Sequence, residues 1–154
     1  MPYIEEIELG DEFGPIQIDV KPNDVIDFCK TWIRDEESSK NIFNAAPTRF
    51  TDDEFAKGEG LPGAIVPGIM SLAYLARLLN TAWPDGRITQ LDVVFRQLVL
   101  HNQTINLLGV VTDTVTESDQ NYIECDVYIE NSEGSRLVGG KARLDVPSEN
   151  KLVS

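Results

Sequence analysis

Apolar and polar residues alternate near the start of the chain, where Ile16 and Ile18 are separated by a polar residue. This two-residue period is typical of a strand with one buried face and predicts a strand over residues 12–20. Residues 21–33 instead carry apolar side chains at helical spacing and predict a helix; these are Val25, Ile26, Phe28, Cys29 and Trp32. Residues 34–63 are mostly polar. A connection this long inside one domain usually has a function or contains short helices of its own.

The next segment, GLPGAIVPGIMSLAYLARLL (residues 60–79), begins as a glycine- and proline-rich loop and continues as an apolar run. The run predicts a helix from about Pro67 to Ala82, because proline is favoured at a helix start and Pro84 follows the predicted end. The helix has almost no polar face. We therefore expect the rest of the protein to surround it.

Four strand-like runs follow this helix, over residues 87–99, 104–117, 121–131 and 135–147. The short polar connections between them predict an antiparallel meander. Glycines inside these runs permit a bend or a close backbone approach; they are Gly109, Gly139 and Gly140. The predicted architecture is α+β, with a curved antiparallel sheet wrapped around a long buried helix, which is the hotdog arrangement. We expect one domain over residues 1–147 and a disordered tail over 148–154.

The acidic character of the chain limits its partners. Its 154 residues suit one domain with a sizeable core, and its net charge is −13. A nucleic acid backbone or an anionic membrane would be repelled by most of such a surface. The N-terminus lacks the basic and apolar regions of a signal peptide, and residues 64–79 are too short to span a membrane. The expected location is the cytoplasm.

The cysteines and the histidine limit which catalytic and metal sites the chain can form. The two cysteines, Cys29 and Cys125, are far apart and form no CxxC motif, which predicts buried thiols in a reducing compartment. His101 is the only histidine. One histidine excludes a Ser-His-Asp triad and most zinc sites unless a second chain contributes, and we expect no metal. Because His101 lies in a turn between two predicted strands, we expect it to be exposed.

Three stretches together resemble a known family: GDEFGPIQIDVKPNDVIDF, GAIVPGIMSLAYLARLL and LDVVFRQLVLHNQTI. They are similar to the first strand and helix, the loop and central helix, and the following F-x-x-P-V-x-x-G-D strand of the MaoC-like hydratase/dehydratases, the (R)-specific enoyl-CoA hydratases. The resemblance spans roughly residues 10–147. It implies a dimer of hotdog subunits that adds water to an acyl thioester, or removes it. Coenzyme A would then be part of the substrate, and no other cofactor is implied.

The resemblance gives the loop and helix a role. Hydration of an enoyl thioester places negative charge on the thioester oxygen, which a backbone N–H at a helix N-terminus can stabilise. Gly68 is placed to supply that N–H, and its lack of a side chain would let the thioester approach. It is equally a residue that shapes a turn. We expect the bound thioester to contact Pro67, Ile69, Asp53 and Arg96.

The chain departs from the family at the positions that carry proton transfer. The family uses an Asp and a His in a D-x-x-P-x-H pattern, and the matching stretch here is NAAPTR, residues 44–49. Asn44 therefore stands in place of the Asp and Arg49 in place of the His. Asn cannot act as a base, and Arg remains protonated at ordinary pH. The resemblance implies these positions as the catalytic ones, but their residues cannot perform the family's chemistry.

Three functions remain open. The chain could be a hydratase or dehydratase with a rearranged site, using a carboxylate from Asp52, Asp53 or Glu54. It could be a non-catalytic subunit that binds acyl thioesters or supports a catalytically intact paralogue in a heterodimer. It could also be a thioesterase, which would release a free thiol. Arg49 could instead pair with a phosphate or carboxylate of the substrate, or with the surrounding acidic loop.

Overall fold

The computed structural model describes residues 3–32 and 47–149. The five strands are β1 (Glu12–Asp19), β2 (Arg87–Phe95), β3 (Thr104–Thr116), β4 (Asn121–Asn131) and β5 (Arg136–Asp145). The α-helices are α1 (Pro22–Trp32), α2 (Asp53–Gly58) and α3 (Gly68–Ala82), and a short 3₁₀ helix spans Ile4–Glu6. Each of the predicted strands and helices is present, and α2 is a short helix inside the long polar segment.

The strand order differs from the predicted meander. The sheet is antiparallel with the order β1-β3-β4-β5-β2, so only β3, β4 and β5 form consecutive hairpins. β1 occupies the free edge of β3, and β2 pairs with β5 at the opposite edge. β2 ends at Phe95 rather than at residue 99, because the N–H groups of Arg96 and Gln97 both turn to the carbonyl of Leu137. Residues 96–103 therefore cross from the edge strand β2 to β3, which lies beside β1 on the other side of the sheet.

The sheet packs its apolar face against α3. On β4 the alternation is complete, and each apolar residue is fully buried: Ile123, Cys125, Val127 and Ile129. They form one core with the α3 side chains Leu75, Leu78 and Leu79. α3 contacts β1, β2, β3 and β4, so most of the helix is covered by the sheet. A stripe along α3 stays exposed in the single chain, formed by Ile69, Ala73 and Arg77.

The ends of the domain are packed together. The N–H of Ile4 donates to the carbonyl of Pro147 at 3.0 Å, and the hydroxyl of Ser148 donates to the carboxylate of Glu5. Ser148 is buried. The packed domain thus includes Ser148, the first residue of the predicted tail, and residues 150–154 lie outside the described part of the chain.

Both thiols are buried, as predicted, and neither forms a disulfide. Burial, followed by the charges of Asp126 and Glu124, raises the pKa of Cys125 to about 12. Such a thiol is unreactive at neutral pH. Within residues 3–32 and 47–149, no helix has the length and apolar character needed to cross a membrane.

Candidate functional site

The N-terminus of α3 has no side-chain cap. The helix begins at Gly68, the preceding Pro67 is buried, and no side chain caps the helix start. The carbonyl of Pro67 accepts from the N–H groups of Met70 and Ser71. The first N–H groups of a helix have no partner within the helix, and the first turn of α3 contains no acidic residue. This end therefore presents donors and a partial positive charge to an incoming oxygen atom.

The loop before α3 is held by four hydrogen bonds. The N–H of Ile65 donates to the carbonyl of Arg49 at 3.0 Å, and that of Val66 to the carbonyl of Val99 at 2.8 Å. The two remaining bonds are to Ala64: its N–H donates to Asp53 Oδ1 at 2.7 Å, and its carbonyl accepts from the His101 N–H at 3.1 Å. The start of α3 is thus fixed by the 49–53 segment on one side and by residues 99–101 on the other.

Arg49 and Glu59 form a two-point ion pair beside this loop. Arg49 Nε lies 3.0 Å from Glu59 Oε2, and Arg49 Nη2 donates to Glu59 Oε1 at 3.2 Å. Both side chains are partly exposed, at 51% for Arg49 and 34% for Glu59. Together with Leu61 they line an open cavity of about 370 Å³. Of the open alternatives for Arg49, the structure shows pairing with the acidic loop.

The other predicted carboxylates, on Asp52, Asp53 and Glu54, contact groups close to them in the same part of the chain. Asp52 caps α2, accepting from the N–H of Phe55 at 2.8 Å. Asp53 holds Ala64, and Glu54 extends into solvent, where it pairs with Lys57. Glu59 was not among the predicted residues, because nothing in the acidic sequence distinguishes it from its neighbours.

His101 is half-buried, so the prediction of an exposed turn histidine was wrong. Its turn packs against the loop before α3 instead of facing solvent. Burial lowers its pKa, while the charge of Asp53 and the backbone groups of Phe50 and Ile65 act in the opposite direction. Nε2 is buried and has no hydrogen-bond partner among the described residues.

An aromatic side chain lies against the uncapped start of α3. Phe95 lies against Gly68, with ring atoms 3.0–3.4 Å from where a β-carbon on Gly68 would be. In the first turn of α3, Ile69 is exposed. At and just after the end of β2, the exposed large apolar residues are Val94, Phe95 and Leu98. The predicted contact residue Arg96 is exposed and directly follows Phe95. Sequence reasoning missed Phe95, since an aromatic residue near a strand end is indistinguishable from a core residue.

The predicted site residues are thus partly brought together. Pro67, Gly68 and Ile69 form the helix start, while Arg49 and Asp53 bind the loop before it through the contacts described above. Asn44 lies outside the described residues. Among the described residues, no group of three His, Cys, Asp or Glu side chains could hold a metal ion.

The family follows from a direct match. Residues 50–133, more than half of the chain, match the model of the MaoC like domain. The chain belongs to the MaoC-like domain family. This match and the structural similarities below also confirm the predicted hotdog fold. No curated protein is significantly similar to the chain in sequence.

Solved structures of low sequence identity share the fold. The (R)-hydratase PhaJ1 from Pseudomonas aeruginosa is similar with a TM-score of 0.76 at 16% identity, over 96% of this chain and 86% of that one. The MaoC-like dehydratase from Rhodospirillum rubrum gives 0.76 at 16% identity, over 97% and 99%. The ChsH1-ChsH2 complex from Mycobacterium tuberculosis gives 0.70 at 15% identity, over 90% and 98%.

Proposed function

We propose that this MaoC-like protein binds an enoyl or 3-hydroxyacyl thioester at the start of α3 and catalyses reversible addition of water. The observation that carries the proposal is the uncapped N-terminus at Gly68, with the apolar ring of Phe95 against it. Two similar structures are named as a hydratase and a dehydratase, which supports this class of reaction. The thioester can be attached to coenzyme A or to a carrier protein.

The chemistry fits the uncapped helix end. When the oxygen of water forms a bond to the β-carbon of an enoyl thioester, the electron pair of the double bond moves to the thioester oxygen. The N–H of Gly68 and the positive end of α3 are suited to stabilise that charge. Protonation of the α-carbon then completes the addition. Apolar groups such as Ile69 and Phe95 are suited to contact the acyl chain and to exclude bulk water.

A second subunit would complete the site in this proposal. β2 is an edge strand that pairs only with β5 in the described part of the chain, and Val94 and Phe95 at its end are 59% and 52% exposed. An exposed apolar edge strand offers unpaired backbone groups to which a strand of another chain can pair. We propose a homodimer, or a larger homo-oligomer, that joins along this edge.

The test is hydration of a short and a medium trans-2-enoyl-CoA by the purified chain, followed as loss of enoyl absorbance. Turnover that yields the 3-hydroxyacyl product supports the proposal. Release of a free thiol would instead identify a thioesterase. No turnover by a folded dimer, on either substrate, would overturn the proposed reaction.

Two observations favour a second candidate, a binding or supporting subunit. Arg49, which replaces the family's histidine, is occupied by Glu59, and one similar structure is a complex of two named components. In that case the chain would bind the acyl thioester without turnover. It would become active only with a paralogue that supplies an intact Asp and His, so mixing the two purified chains separates the candidates.

A further inference from the structure

One side chain, Phe95, limits the space beside the start of α3. The three atoms nearest to a β-carbon placed on Gly68 are Phe95 Cζ, Cε1 and Cε2, at 3.0, 3.3 and 3.4 Å. These carbons form the far end of the ring, so the tip of the ring is the part that meets Gly68. Non-bonded carbon atoms pack best at about 3.5–4.0 Å. A methyl carbon at this point therefore does not fit unless the ring moves.

Backbone hydrogen bonds fix both sides of this gap. Phe95 is the last residue of β2 and lies opposite Val138 in the ladder with β5, and the next two N–H groups donate to the carbonyl of Leu137 at 2.9 and 3.1 Å. On the helix side, the N–H of Val66 donates to the carbonyl of Val99 at 2.8 Å. The gap therefore widens chiefly through rotation of the Phe95 side chain, which is 52% exposed.

The inference drawn from this gap rests on the proposed function, because it concerns which acyl thioesters the site accepts. A thioester oxygen that accepts from the N–H of Gly68 lies about 3 Å from the nitrogen, and bond lengths then keep the α-carbon of the acyl group within about 6 Å of that nitrogen. The 3.0 Å contact keeps Phe95 Cζ within about 6 Å of the same nitrogen. Because the helix itself fills the other directions, the ring tip and the α-carbon share one small region.

We propose that Phe95 is a specificity-determining residue and that the site takes thioesters whose α-carbon bears no substituent. A hydrogen on the α-carbon leaves the ring where it is. A methyl group there is as large as a β-carbon on Gly68 and requires the ring to move. One extra carbon in an apolar pocket changes selectivity by about 10- to 200-fold. We expect the low end of this range, because the half-exposed ring can rotate.

The experiment compares two substrates that differ by this methyl group, trans-2-butenoyl-CoA and (E)-2-methyl-2-butenoyl-CoA. For each, kcat/KM for hydration by the full chain is measured as loss of enoyl absorbance, and the ratio of the methylated to the unmethylated value is compared between proteins. Changes in the folded or dimeric fraction cancel in this ratio, so a merely structural role would not alter it. Phe95→Leu should raise the ratio about tenfold, and Phe95→Ala should raise it further.

Two controls separate this effect from a general change in the site. Phe55→Leu makes the same substitution at another exposed ring, on α2, which is 41% exposed, and should keep the wild-type ratio. The second control is trans-2-octenoyl-CoA, which lengthens the chain and leaves the α-carbon unsubstituted. Its ratio to trans-2-butenoyl-CoA should change far less in the Phe95 variants than the methylated ratio does.

The outcomes distinguish this inference from the proposed function. A methylated ratio that stays at the wild-type value in both Phe95 variants, or a chain-length ratio that rises as much, would overturn the role of Phe95. So would a methylated substrate that neither variant hydrates. In each of these cases turnover of the straight-chain substrates leaves the proposed function standing. Absence of straight-chain turnover by the wild type would overturn both.

Discussion

The ring of Phe95 lies over the α-carbon of Gly68, at the point where β2 ends and α3 begins. Three ring carbons would be 3.0, 3.3 and 3.4 Å from a β-carbon placed on Gly68. The glycine at this position therefore has two explanations: it allows Phe95 to pack, or it allows a thioester to approach the helix end. Because the Phe95 side chain is half-exposed, its ring has room to move aside.

Gly68→Ala separates these explanations. We expect the free energy of unfolding to change by less than about 1 kcal/mol, because alanine favours a helix and the Phe95 ring can shift. Hydration of enoyl-CoA should nevertheless fall strongly if the thioester approaches this carbon. Urea unfolding and kcat/KM report the two effects independently.

The double variant Gly68→Ala/Phe95→Leu is the control, with Phe95→Leu alone beside it. If the smaller leucine restores activity, Phe95 packing was the reason for glycine. If activity stays low, close approach of the ligand is the reason.

Two adjacent glycines in β5 give a second prediction. A β-carbon on Gly140 would lie 1.9 Å from the backbone carbonyl oxygen of Asp92 on β2, whereas one on Gly139 would have nothing nearer than 3.9 Å. Gly140→Ala must displace β2 from β5 and should cost about 3 kcal/mol or more. Gly139→Ala should be neutral or stabilise the strand by up to about 1 kcal/mol. Urea unfolding of both variants measures the difference, and equal stabilities would contradict the close approach of β2.

The elements of this fold could be predicted because their signals are local. Alternating residues on β4 and the apolar run on α3 are visible in any short window of the sequence. Which strand pairs with β2 cannot be predicted from a short window of the sequence. β2 pairs with β5 while β1 takes the free edge of β3, and both pairings join strands that are far apart in the sequence.

The candidate site shows the same limit. The helix start at Gly68 could be predicted, because a glycine- and proline-rich loop leads directly into an apolar run. The partner of Arg49 and the half-buried position of His101 could not be predicted. Glu59 meets Arg49 only because α2 folds between them, and His101 is half-buried because residues 99–101 pack against Ala64 and Val66.

The exposed edge of β2 predicts assembly. Val94→Lys should convert a dimer into a monomer, because it places a charge in an apolar edge that we propose to be buried between subunits. Size-exclusion chromatography with light scattering gives the mass directly. Leu9→Lys is the control, since Leu9 is 65% exposed but lies outside the strands. A Val94→Lys protein that remains dimeric would place the interface elsewhere.

The half-buried His101 predicts a loss of stability on mild acidification. Burial lowers its pKa below the ordinary value of 6.5, so the unfolded chain binds a proton more readily than the folded chain. The stabilisation is therefore present above about pH 6.5 and is lost as the pH falls toward the folded-state pKa. One extra proton bound by the unfolded chain gives a slope of at most about 1.4 kcal/mol per pH unit.

His101→Gln isolates this effect from the carboxylates. Glutamine cannot titrate, so the stability difference between wild type and variant should shrink as the pH is lowered from about 7.5 to about 5.5. Glu5 has a pKa held below 4.5, chiefly by its hydrogen bond from Ser148, and this carboxylate is common to both proteins. Its titration therefore cancels in the comparison. Urea unfolding at several pH values measures the difference, and parallel curves for the two proteins would show that His101 is not a buried neutral group.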